Sequence, residues 1–165
     1  MKIDIARQPL VPAFMTLFAL AVAAMCAGIP VSDTSGAVRD ALPLLGGQLA
    51  RFQAAYPVWS KFAAGFMLLF TGMCAGRITI RYNLYTVGTC LPIPLYAIVA
   101  CGIATGGNYL AGFAASMLLA LATKNYCRAF CNGYGFDAIF RASLYLGLMP
   151  LVYAPALPLL LLLPL

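Results

Sequence analysis

Polar positions fall in clusters along this chain, and between the clusters lie long stretches with almost none. The first uncharged stretch runs from Leu10 to Ile29; Leu84–Thr105, Tyr109–Thr123 and Ala142–Leu165 are uncharged as well, and Tyr56–Gly76 is a comparable run with one charge, Lys61. About twenty apolar residues are what a helix needs to cross the hydrocarbon of a bilayer. Within these stretches apolar and polar residues do not alternate, as the strands of a membrane barrel would require. The pattern therefore predicts an all-α, polytopic transmembrane bundle of five to six spans. The expected spans are about 10–29, 56–76, 84–105, 109–123 and 138–165, the last split near 155 or left whole. Residues 1–165 form one integral membrane domain in this reading.

The connections carry the polar residues. Residues 30–55 are the longest, with Ser32, Asp33, Thr34, Arg39, Asp40 and Arg51. Within them Ala37–Leu45 and Leu49–Ala55 are expected as short interfacial helices. Arg77–Asn83 is read as a short basic connection, and Gly106-Gly107-Asn108 as a tight uncharged turn. Lys124–Arg141 is a second polar stretch, broken at Gly133-Tyr134-Gly135. Asp137 is placed as the N-cap of the helix that follows it, and Asp137 with Arg141 has the favoured order for a helical ion pair. Proline marks the third span: Pro92 and Pro94 remove two backbone donors, and a kink or break is expected there. Small-residue pairs at Gly72 and Gly76, Gly102 and Gly106, and Gly112 and Ser116 have the spacing that lets helices approach closely.

Charge sets the orientation. The chain holds 10 Lys and Arg against 4 acids, all of them Asp, and it has no His. Most of the cations lie at the start (Lys2, Arg7) and in the second and fourth connections (Arg77, Arg81, Lys124, Arg128, Arg141). Alternation across four spans then puts the N-terminus in the cytoplasm and residues 30–55 outside. Lys61 at the outer end of its span can extend to the headgroups, with Tyr56 and Trp59 as belt aromatics. The start is basic, as in a signal peptide, but the apolar run after it is too long for one, so it is read as a retained span. The uncharged end at Leu165 leads to the expectation that the natural chain continues beyond it.

Composition narrows the chemistry. Hydrophobic residues make up 64% of the chain and charged residues 8%, where soluble domains carry about a quarter charged residues. In such a chain a net charge of +6 reflects orientation rather than nucleic-acid binding. Acid–base catalysis draws mostly on His or carboxylates. Here Asp4, Asp33, Asp40 and Asp137 are scattered over three connections, so no catalytic residue, metal site or cofactor is assigned. Cys127 and Cys131 lie one helical turn apart, but two thiols without His fall short of a structural zinc set. A cytoplasmic location would keep them reduced. One constellation remains. Arg77, Arg81, Lys124, Arg128 and Arg141 share the cytoplasmic side, with Asn83, Asn125 and Asn132 as neutral neighbours, and form a candidate contact for anionic lipid headgroups.

Several segments also resemble a known group. Arg77-Ile-Thr-Ile-Arg81-Tyr-Asn83, Ala120-Leu-Ala-Thr-Lys124-Asn125, Phe136-Asp137-Ala-Ile-Phe-Arg141-Ala-Ser-Leu-Tyr-Leu-Gly147 and Tyr153-Ala-Pro155 look like those of uncharacterised multi-pass inner-membrane proteins of Bacteroidota-type bacteria. The likeness covers roughly residue 77 to the end, and its motifs are loose. It implies a location in the inner membrane and a longer chain, but no activity. Some members carry oxygenase-like labels, and an iron oxygenase would need several ligands of the His and carboxylate type, whereas this chain has no His. The functional expectation is a non-enzymatic accessory or scaffold subunit in envelope biogenesis. Its partners would be the bilayer, anionic headgroups and other membrane subunits. The alternative is a transporter or flippase for an anionic lipid or lipid-linked sugar.

Overall fold

The computed structural model describes residues 10–26, 44–82, 92–103, 109–131 and 135–162. These residues are all helical apart from short joints. In chain order they form α1 (Leu10–Cys26), α2 (Leu44–Ala55), α3 (Pro57–Arg81), α4 (Pro92–Ile103), α5 (Tyr109–Cys131), α6 (Phe136–Val152) and a 3-10 helix (Ala154–Leu162). Among the described residues α3 is the one helix long and apolar enough to cross a membrane. Its 25 residues span about 37 Å at 1.5 Å each, against about 30 Å of hydrocarbon.

Several boundaries differ from the sequence expectation, each for a local reason. The basic segment Arg77–Arg81 is not a connection but the last turns of α3. Charge at a helix C-terminus favours the helix, since cations there meet the negative end of its dipole. For the same reason α5 runs on through Lys124 and Arg128 to Cys131 instead of stopping at Thr123. Pro92 and Pro94 do not interrupt the described helix: they occupy the first turn of α4. A first turn has unpaired N–H groups in any case, so proline costs little there. Asp137 lies inside the first turn of α6, one residue past Phe136, and Gly135 is the cap residue. α6 ends at Val152; continuing it would drive the Pro155 ring into the carbonyl one turn back. α2 merges the end of the first expected interfacial helix with the second. The turn at 106–108, Gly106, the cations and acids before residue 44, and Asn83, Cys90 and Asn132 lie outside the described residues.

Side-chain contacts give the helix directions. Near the start of both α3 and α5, the Ser60 hydroxyl lies 2.6 Å from the Tyr109 hydroxyl. Toward their ends, Arg77 and Lys124 line one cavity. α3 and α5 are therefore parallel. α4 starts beside the end of α3, where Ile93 packs on Gly76, and returns along α3 and α1. α6 returns along α5, bringing Met149 against Ala115 together with Ala156 of the 3-10 helix. α2 packs on α3, α5 and α6.

The main core joins α1, α3, α4 and the start of α5: Leu17, Leu68, Ile93, Ala97, Leu110 and Phe113 are buried together. Gly72 and Gly76 make this approach possible. A Cβ on Gly72 would stand 2.8 Å from a methyl of Leu17, and one on Gly76 would overlap the end of Ile93. Gly112 is different: nothing lies within 4 Å of its Cβ position, so it serves no close approach among the described residues. Gly102 and Gly106 offer no such comparison here.

Candidate functional site

Because α3 and α5 run in parallel and α6 begins where α5 ends, Arg77, Arg81, Lys124, Arg128 and Arg141 all fall at one end of the bundle. They do not form a single cluster there. Arg77 and Arg81, one helical turn apart on α3, line a cavity of about 800 Å³ with Lys124 of α5. Tyr82, Cys74, Phe70, Met73, Ile78, Ile80 and Ile93 complete its wall. Ligand sites commonly fall between about 300 and 1,000 Å³. Arg128 and Arg141 lie outside this lining. Arg141 is engaged with Asp137, Nη2 to Oδ2 at 3.0 Å and Nε to Oδ1 at 3.1 Å. Both side chains are exposed, so the pair contributes little to stability.

The electrostatics of the cavity are one-sided. Among the described residues Asp137 is the one carboxylate, and it already holds Arg141. Among the described residues no acid lines the cavity. Arg77, Arg81 and Lys124 therefore face it as three cations without an acidic counterpart in the wall, and Cys74 lies within electrostatic range of two of them. The helix ends nearly offset each other. The C-terminus of α3 brings roughly half a negative charge and the start of α4 roughly half a positive one. The side chains decide the sign of the site.

A second surface lies at the other end of α3. Phe52, Tyr56, Trp59, Phe62, Ala63 and Phe66 bound a shallow apolar groove. Tyr56 and Trp59 were visible in the sequence as belt aromatics. The continuation through Phe62, Phe66 and Phe70 was missed, although its three- and four-residue spacing is that of one helix face. Cys74 was missed as a neighbour of the basic group in the same way: it stands three residues before Arg77.

Cys127 is half-buried and Cys131 exposed, both as free thiols. Beyond the expected span, burial first, and then the neighbouring Cys131, push the Cys127 thiol above its ordinary value. Among the described residues no group of three or more His, Cys, Asp or Glu gathers as a metal set would need. No protein-family model, curated protein or solved structure matches this chain.

Proposed function

We propose that this chain is an integral inner-membrane protein whose helices cross the bilayer together, with the N-terminus and the basic end in the cytoplasm. Its role is that of a non-enzymatic accessory or scaffold subunit in envelope biogenesis. The observation that carries the membrane placement is the distribution of large apolar side chains. On α3, Trp59, Phe62 and Phe66 are each at least 60% exposed, and Phe70, Met73 and Ile80 extend the same outward stripe. Phe14 and Phe18 on α1, Ile98 and Val99 on α4, and Leu144 and Leu151 on α6 are exposed as well. Water does not tolerate apolar patches on this scale in a soluble monomer. Lipid does.

The hydroxyls agree with that environment. Thr16, Ser60, Thr71, Thr79, Ser116 and Thr123 each donate to a carbonyl one turn back on their own helix, at 2.8 to 2.9 Å. In hydrocarbon, where water offers no alternative, polar groups must be satisfied internally. The absence of His and Glu from the sequence supports a role without acid–base chemistry.

Three measurements test this. Alkaline carbonate should leave the protein in the membrane pellet, and a membrane-impermeant maleimide should label Cys131 only after the cells are opened. Labelling of Cys131 on intact cells would reverse the orientation. Purification in mild detergent should bring down stoichiometric protein partners. The cavity at the basic end favours one second reading, a transporter or flippase for an anionic lipid or lipid-linked sugar. Transport by the purified protein alone in proteoliposomes, without partners, would put that reading first.

A further inference from the structure

We infer that the cavity between the end of α3, the start of α4 and α5 holds one anionic phospholipid, its phosphate against Arg77, Arg81 and Lys124 and an acyl chain along Phe70 and Met73. This deepens the proposed function and rests on its membrane placement. The lining is sorted by depth. Arg81 lies at the end of α3, Arg77 one turn in, and Phe70 about 16 Å from Arg81 at 1.5 Å per residue. Ile78, Ile80 and Ile93 continue the apolar wall. Charge at the bilayer surface passing into apolar wall toward its middle is the order of parts in a lipid molecule standing in its leaflet. A free phosphate would use the cations and leave the wall without a partner.

The charge also fits. Among the described residues the three cations meet no carboxylate in the wall, so they repel one another, and an anion relieves that repulsion. Arg offers a planar fork to phosphate oxygens and Lys a point charge. Arg128 and Arg141 sit at the same end of the molecule but outside the cavity, the latter tied to Asp137. They separate a built site from a merely basic surface.

The experiment is native mass spectrometry of the detergent-purified chain titrated with phosphatidylglycerol or phosphatidylcholine. The wild-type chain should bind a single phosphatidylglycerol in preference to phosphatidylcholine. A cation near an anionic group gives about fivefold in affinity. Arg77→Gln, Arg81→Gln and Lys124→Gln together should therefore lose on the order of a hundredfold. Arg81→Gln alone should lose about fivefold, which keeps the test decisive if the triple variant folds poorly. Arg128→Gln with Arg141→Gln should bind as wild type. Equal loss in the two sets of variants would mean diffuse surface charge and overturn the site. Displacement of the lipid by millimolar inorganic phosphate would also overturn it, leaving an anion site without lipid selectivity. A protein that resists carbonate extraction yet binds both lipids equally refutes the lipid site alone. A protein released by carbonate refutes the membrane placement with it.

Discussion

Replacing Gly76 with alanine tests the central packing contact directly. The added methyl would overlap the end of Ile93, which is 1% exposed and so has no room to retreat. Ile93 is also β-branched, and its χ1 is restricted in a helix. Overpacking of this kind costs about 1–3 kcal/mol. Against it stands the helical preference of Ala over Gly, about 1 kcal/mol. The net expectation for Gly76→Ala is a loss of about 1 kcal/mol, a few degrees in Tm for a chain of this size. Gly112→Ala isolates the propensity effect, because nothing approaches its Cβ position; it should be neutral or stabilising by up to about 1 kcal/mol. The decisive variant is Gly76→Ala in an Ile93→Ala background. Removing Ile93 alone should cost about 2–5 kcal/mol, but the methyl at position 76 then enters vacated space and should restore part of the loss. Reversible unfolding in mixed micelles reads all four stabilities. If Gly76→Ala carries the same penalty with and without Ile93, the contact does not hold α4 against α3, and the account of this core fails.

Three further outcomes follow from single contacts. The Ser60 hydroxyl donates to the Pro57 carbonyl at 2.8 Å, so the Tyr109 hydroxyl must be the donor to Ser60. Ser60→Ala strands that buried phenol and should cost about 1–3 kcal/mol, whereas Tyr109→Phe removes only a donor and should cost about 1 kcal/mol; the reverse order of Tm values would refute the assignment. Asp137→Asn should change stability by less than about 1 kcal/mol, because the pair with Arg141 is exposed, and a large effect would assign Asp137 another partner. Cys131 should react with maleimide faster than Cys127 near neutral pH. The raised Cys127 value keeps it a thiol to higher pH, so its labelling rate should rise on going alkaline, and equal rates at pH 7 would contradict its burial.

How much of this was legible in the sequence depends on which physical term decides each feature. The helices were legible because their apolar runs are long, and the Asp137–Arg141 pair because its spacing lies on one helix. The ends were less so. Arg77–Arg81 and Lys124–Cys131 look like connections when charge is taken to end a helix, but caps and breakers end helices and charge at the C-terminus favours them. Pro92 and Pro94 carry two opposite meanings, a break in mid-helix or a tolerated first turn, and the choice depends on where the helix begins. The glycine pairs show the limit most clearly. Gly72 and Gly76 have the same spacing as many chance pairs in a chain with 15 glycines, and only the partner helices reveal that Leu17 and Ile93 sit against them. The division of the basic group into a cavity and an outer pair likewise required the positions of α3 and α5.

The parallel course of α3 and α5 links the charge pattern to the site. In a chain that alternates sides, two helices separated by one other must point the same way, so residues late in both arrive at the same end. The contacts place Ser60 by Tyr109 at one end and Arg77 by Lys124 at the other, which satisfies that requirement without any reference to a membrane. The sequence reached the same pairing from the bias of Lys and Arg between apolar runs, a rule about insertion rather than packing. A cation needed only for orientation can stand anywhere in the connection. Arg77, Arg81 and Lys124 instead stand inside the helices, turned toward a shared cavity, where their mutual repulsion is a cost that orientation alone does not require. That placement is the ground on which the proposed lipid site rests, and it makes Arg77, Arg81 and Lys124 the residues that decide it.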